Sequence, residues 1–332
     1  MPEAILTIIV PTYNRAGHLA RLLAALRIEL EGLHPLVELL VSDNASTDAT
    51  QEVTAQAAGD WPALTVQRHD QNLGPEGNFL SCLPRVSTKY FWIMGDDDCP
   101  KPGVLAKLLT LLVEKQPTLL FLNSQWVEEI PAHEKNEIPR PLQFSKMSAL
   151  PFSKATHVWV TFISGMIVNR ETLRELVAEN ELGRFNNTSL VQLGWILPLL
   201  KSKGSFIYVH DQCILATKEN SGGYKLLTVF GSNFTRIVNE LFGLNHPIAR
   251  SLILGNLTHY LPHLIWASRN ERSDSRFISE NPWGGLNRDL GAYWLYWLLL
   301  VPMGRLPLWI AKPIYLSWKI FNWLVKRTST TN

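Results

Sequence analysis

A strand-like apolar run that ends in three carboxylates constrains this chain more than any other stretch. Tyr90 to Asp98 reads Tyr-Phe-Trp-Ile-Met-Gly-Asp-Asp-Asp. The apolar part suits a strand covered on both faces, and the consecutive acids after it call for positive charge nearby. In an extended backbone Asp96 and Asp98 project to one side and Asp97 to the other. Two carboxylates on one side form half a cradle for Mg2+ or Mn2+, hard cations that complete their shells with water and substrate phosphates. This reading implies a substrate carrying a diphosphate; a solvated acidic turn is the plain alternative.

The chain has 332 residues, 46% of them hydrophobic, enough for one large core or two smaller ones. A net charge of +2, with no basic stripe carrying interleaved aromatics, argues against a nucleic-acid partner. Cys82, Cys99 and Cys213 are an odd, scattered set that fits neither a disulfide framework nor a zinc site, which points to a reducing compartment. Glu3 stands where an export signal would carry basic residues, and Pro11 breaks the first apolar run, so no export is expected.

Ile5 to Val10, Val37 to Val41, Leu64 to Arg68 and Tyr90 to Gly95 are strand-like, and helix-spaced stretches separate them. Asp48 is placed to cap the second of these helices. This alternation predicts an α/β fold, a doubly wound and mostly parallel sheet with helices on both faces. Ligands of such sheets lie beyond the carboxyl ends of the strands. There Pro11 to Asn14, Ser42 to Asp48, Asn72 to Asn78 and Asp96 to Asp98 would converge.

Leu119 to Asn123 reads as a further strand and Ile130 to Ser153 as a loop. Trp159 to Asn169 reads as a strand bent at Ser164-Gly165, Glu171 to Glu179 and Leu190 to Lys201 as helices, and Phe206 to His210 as a strand. Lys218 to Tyr224 is a double-glycine loop able to fold over a ligand. From Leu226 onward the pattern is mostly helical and rich in aromatics, so residues 1–225 are expected to form the catalytic domain and 226–332 a helical extension. After Asp289 no acid appears, while Arg305, Lys312, Lys319, Lys326 and Arg327 lie among tryptophans and leucines. No uninterrupted apolar run there reaches the roughly 18 residues a spanning helix needs. The tail, about residues 290–327, is therefore expected to lie on an anionic membrane surface, with an amphipathic packed subdomain as the alternative.

Four motifs carry a resemblance to the family 2 glycosyltransferases of GT-A fold: Ile8 to Arg15, Val41 to Asp48, Asn72-Leu73-Gly74 with Asn78, and Gly95 to Asp98. They come in that family's order over roughly the first 125 residues. The resemblance implies donor contacts from Pro11, Thr12, Tyr13, Asn14, Asp43, Asn72, Gly74, Asn78, Asp96 and Asp97. Within that set it puts Thr12 and Tyr13 beside base and ribose, Asp43 and Asn78 at the base, and Asp96 at ribose and metal. Asp98 would ligate the cation bridging the two phosphates of a nucleotide sugar.

The family's usual base, an acid ahead of a helix, falls at Phe185 to Ser189, where no carboxylate stands and Asn187 takes its place. Three explanations compete: a base elsewhere, with Glu179 and Glu181 nearest; a replaced residue; or a retaining reaction that needs none. Lys218 is a candidate for neutralising the diphosphate, His210 for a third metal ligand, and Trp159, Ser164 and Gly165 for an acceptor pocket. The expectation is a metal-dependent transfer from a nucleoside-diphosphate sugar to a polyprenyl-linked glycan at the inner leaflet, in O-antigen or capsule assembly. Its rivals are a non-catalytic glycan-binding protein of the same fold and a sugar nucleotidyltransferase. The latter should carry a glycine-rich loop directly after the first strand, where Pro11 to Arg15 has none.

Overall fold

A computed structural model describes residues 3–61, 64–132, 140–217, 223, 225–270 and 280–329. The chain divides into two compact units, residues 1–219 and 220–332.

The first unit is built on one mixed sheet. β1 (Leu6–Thr12), β2 (Val37–Asp43), β3 (Leu64–Arg68) and β4 (Tyr90–Ile93) run parallel in the order β3-β2-β1-β4. Every residue of β1 and β4 is buried, which is why both read as continuous apolar runs rather than alternating ones. Helices α1 (Ala16–Glu29), α2 (Thr50–Asp60) and α3 (Gly74–Cys82) connect them. Leu19, Leu22 and Leu26 of α1 join Leu6, Ile8 and Val10 in the main core. Each such side chain contributes about 1.5–3 kcal/mol on burial.

β5 (Cys99–Pro100), α4 (Val104–Lys115) and β6 (Leu119–Val127) follow. The buried Glu29 carboxylate accepts the backbone N–H groups of Gly103 and Leu105 at 2.7 and 3.1 Å, which satisfies the start of α4. The stretch expected to be a loop contains β7 (Phe144–Met147) and α5 (Ala149–Thr156), and its residues 133–139 lie outside the described ones.

β8 (Met166–Asn169) carries only the end of the expected Trp159–Asn169 strand. Residues 157–165 form two tight helical turns instead, because apolar character alone does not separate a buried turn from a strand. α6 (Arg170–Leu176) follows, and the expected helix from Leu190 to Lys201 reduces to one turn, α7 (Leu193–Ile196), between tight turns.

β9 (Phe206–Thr217) runs well past the expected end at His210. It pairs parallel to β6 and antiparallel to β7 and β5, and β8 joins β4 to β6 antiparallel, so the sheet runs β3-β2-β1-β4-β8-β6-β9-β5. The β6 register jumps from Leu122 opposite Val209 to Asn123 opposite Gln212, leaving His210 and Asp211 in a bulge that bends the sheet.

The second unit is helical: α8 (Phe234–Phe242), α9 (Pro247–His259), α10 (Leu261–Asn270), α11 (Trp283–Leu290), α12 (Val301–Arg305) and α13 (Leu308–Ser329). Its first helical turn is fixed by Glu280, whose carboxylate accepts the backbone N–H groups of Leu227 and Thr228 at 2.8 and 3.0 Å. Among the described residues no helix is long and apolar enough to cross a membrane.

Candidate active site

Because β1 to β4 are parallel, their carboxyl ends open on one edge of the sheet. Thr12 lies in register with Asp43, and Asp43 with Arg68.

The acidic triplet does not extend the strand. β4 stops at Ile93, and the N–H of Asp98 donates to the carbonyl of Gly95 at 3.1 Å, closing a turn. Carboxylate repulsion and Gly95 both favour a turn over a straight strand here. The turn still buries Asp96 and Asp98, at 4% and 6% exposure, and leaves Asp97 partly open. The inward pair expected from alternation therefore arises from turn geometry.

Three groups hold the triplet. The Thr12 hydroxyl donates to Asp96 Oδ2 at 2.7 Å. Arg15 Nη1 reaches Asp96 Oδ1 and Asp97 Oδ2, both at 3.0 Å. The Ser164 hydroxyl accepts the Gly95 N–H at 2.9 Å, while the Ser164 carbonyl accepts from Trp92 Nε1 at 2.8 Å. Burial raises the Asp96 carboxyl above its usual range, with Arg15 and Thr12 opposing the rise. Burial, reinforced by the charge of Asp97, pushes Asp98 up to about 7. A pair of buried carboxylates, one of them short of compensating charge, is a donor set that a hard divalent cation fits.

A second network ties the ends of β1 and β2 together. Asp43 is buried, receives an ion pair from Arg68 Nη1, and accepts the Ser46 N–H at 2.9 Å. Asn14, in the left-handed region at φ +52°, donates its N–H to Ser46 Oγ at 2.9 Å and accepts the Thr47 N–H at 2.7 Å. Ala45, two residues past the end of β2, lies at φ +63°. Asp48 accepts the N–H groups of Ala16 and Thr50, bracing the start of both helices. Pro11 is buried within β1, and Tyr13 stands 43% exposed beside this network, its ring open to a planar ligand.

The α3 loop is pinned from β2. Asn44 donates to Asn72 Oδ1 at 2.9 Å and to the carbonyl of Gly74, which lies at φ +73°. Asn78 is 2% exposed, with Ser42 donating to its Oδ1 at 2.6 Å and its Nδ2 donating to the Ser42 carbonyl at 3.1 Å. Its amide is thus spent bracing β2 against α3 rather than facing a base.

Three further expected positions need correction. His210 sits in the β9 bulge, hydrogen-bonded to Ser145 at 2.7 Å, and among the described residues no three His, Cys, Asp or Glu side chains gather as metal ligands, so it does not complete a site with Asp96 and Asp98. Ser164 is fully buried and holds Gly95 instead of lining an acceptor pocket. A Cβ on Gly165 would meet Phe162 at 2.7 Å and the Leu122 carbonyl at 3.2 Å, so this glycine serves packing. Lys218 lies outside the described residues.

Trp159 does stand near an open surface, 5.9 Å from the ring of Trp126, whose other neighbour is Phe162 at 5.5 Å. Trp126 is 42% exposed, an aromatic wall packed on Phe162, which lies two residues in sequence from the Ser164 that holds the acidic turn. Glu179 pairs with the buried Arg170 at 3.0 Å, and Glu181 is exposed. Asn187, at φ +65°, carries no carboxylate, but Glu76 Oε2 accepts its N–H at 2.6 Å and Glu76 Oε1 accepts that of Val191 at 3.1 Å. Arg15, Arg68, Glu76 and Trp126 are the residues that motif reading did not single out as site residues.

A family model described as glycosyl transferase family 2 matches residues 7–177. Over 109 residues the chain is 35% identical to abequosyltransferase RfbV of Salmonella typhimurium, a stretch amounting to 32% of each protein. The match thus spans about a third of that relative's length. In shape the chain resembles S. aureus TarS 1-349 in complex with UDP-GlcNAc, with a TM-score of 0.60 at 15% identity, covering 95% of this chain and 90% of that one. The same protein in complex with UDP gives a TM-score of 0.56 at 16% identity, covering 83% and 84%. At such identities the likeness concerns the fold.

Proposed function

The chain belongs to glycosyl transferase family 2, and from that premise we propose that it moves a sugar from a nucleoside diphosphate to a hydroxyl of a lipid-borne glycan. Glycosyl transfer breaks the bond between the anomeric carbon and the phosphate oxygen, whose electron pair leaves with the diphosphate. The acceptor oxygen bonds to that carbon and gives up its proton. The protein's task is to hold the donor, favour charge on the leaving group and keep the acceptor in line.

Tyr13 stacks on the base. Asp43, aimed by Arg68 and the Ser46 amide, receives a base ring nitrogen, and Asp96, held by Thr12, receives the ribose. Asp96 and Asp98 would hold Mg2+ or Mn2+, which supplies positive charge against the leaving diphosphate. Lys218 would add a further positive charge against the diphosphate. Trp126 and Trp159 offer an acceptor sugar an aromatic face.

The acceptor is a glycan on a polyprenyl carrier at the cytoplasmic face of the inner membrane, and the process is O-antigen or capsule assembly. Likeness to an abequosyltransferase supports a deoxyhexosyl group as cargo. The basic, acid-free tail supports the membrane face.

The burial of Asp96 and Asp98 together at the common edge of β1 to β4 carries this reading. It is tested by release of nucleoside diphosphate from a panel of nucleotide sugars with Mn2+, comparing wild type with Asp96→Ala/Asp98→Ala. Unchanged release and unchanged Mn2+-dependent nucleotide binding in the double variant sink it. The absence of a carboxylate on Asn187 favours one rival, a non-catalytic binder of nucleotide sugars. Binding without release, with every acceptor offered, would select that rival.

A further inference from the structure

We infer that α13 is an in-plane anchor whose outward face docks on an anionic lipid bilayer. Its inward face packs within the second unit: Ala311, Tyr315 and Trp318 are buried, Trp318 Nε1 donates to the Thr258 carbonyl at 2.7 Å, and Tyr315 stacks on Trp266 at 4.5 Å. A surface helix held this way normally turns a polar face to solvent.

The outward face of α13 is apolar. Trp309, Pro313, Leu316, Ile320 and Trp323 recur at spacings of four and three, hence on one stripe, and all are exposed. Trp309 is 77% exposed, Ile320 60% and Trp323 54%. Lys312 and Lys319, seven positions apart, form a row along one side of this stripe, and both are exposed. No acidic residue follows Asp289.

A helix apolar on both faces, too polar to cross a bilayer and edged by Lys312 and Lys319, suits the boundary between lipid headgroups and acyl chains. The charge pattern chooses lipid over a second copy of the chain. In a two-fold pairing stripe to stripe, the lysine row would meet itself with no acid in the stripe to answer it. This builds on the membrane-face part of the reading above and not on its transfer chemistry.

The test uses the full chain and co-sedimentation with phosphatidylcholine vesicles, with and without phosphatidylglycerol. Wild type should pellet with the anionic vesicles and be released by salt. Leu316→Gln/Ile320→Gln/Trp323→Gln should lose about tenfold or more of that partitioning, and Lys312→Gln/Lys319→Gln should lose the preference for anionic vesicles. Melting temperature checks that both variants fold. If both partition like wild type, the inference is overturned. It is also overturned if lipid-free wild type is an oligomer that the stripe variant dissociates. The response of the melting temperature to UDP with Mn2+ is read separately, so failure of the transferase reading leaves the vesicle result standing.

Discussion

Glu76 and Asn187 stand 111 positions apart, yet the Glu76 carboxylate accepts the Asn187 backbone N–H at 2.6 Å. With its other oxygen on the Val191 N–H, this side chain ties the start of α3, beside the donor loop, to a segment holding two left-handed residues, Asn187 and Ser189. Neither is a glycine, so the segment adopts a backbone its side chains resist and depends on that anchor. Glu76→Ala should cost about 1–3 kcal/mol and raise hydrogen exchange across residues 185–191. The response to UDP with Mn2+ should persist. Unchanged exchange at Asn187 and Val191 would show that the anchor is dispensable.

Arg15 bridges two carboxylates, one of them buried. Removing it leaves Asp96 without its ion pair in a desolvated place. Arg15 is itself 27% exposed, which keeps the penalty below that of a fully buried pair. Arg15→Ala should therefore destabilise the protein by about 1–3 kcal/mol. Mn2+ should raise the melting temperature of the variant more than that of wild type, because a divalent cation restores the missing charge. An equal response in both proteins would contradict this.

Asp98 makes stability depend on pH in a direction opposite to that of a salt-bridged acid. Its carboxyl titrates near 3.8 when unfolded and is raised to about 7 in the fold by burial and by Asp97. Between those values the folded state binds the extra proton, so stability should fall as pH rises from 3.8 to about 7. Asp98→Asn should flatten that part of the profile. Mn2+ affinity should climb over the same range, because the ligand must lose its proton first. Chemical denaturation at a series of pH values gives the first result and calorimetric Mn2+ titration the second.

All three cysteines are buried. Burial pushes the thiols of Cys99 and Cys213 up to about 12 and also raises that of Cys82. Thiolate is the reactive form, so none should react with a disulfide reagent in the native protein near neutral pH, and all should react once urea unfolds it. Rapid labelling of a native thiol would place that cysteine in a locally opening region.

The parallel half of the sheet was legible in the sequence because its strands are continuous, apolar and closed by polar loops. Leu64 to Arg68 was bounded to the residue. Thr12, Asp43, Asp96 and Asp98 followed from the rule that parallel strands present ligands at their carboxyl ends. Arg15 and Arg68 were within reach of the same rule, since Arg68 ends β3. The second half hid more. Trp159 to Gly165 mimics a strand in composition while folding as tight turns, and the bulge at His210 conceals how far β9 continues. No local pattern announces Glu76, whose partners lie in another part of the chain.

Ala45 turns left-handed two residues past the end of β2 although its Cβ disfavours that conformation. A protein engineer seeking a hardier catalyst would begin there. Glycine at that one position relaxes the kink without touching a hydrogen bond, so gains in shelf life and in recovery after heating should come at no expense to catalysis.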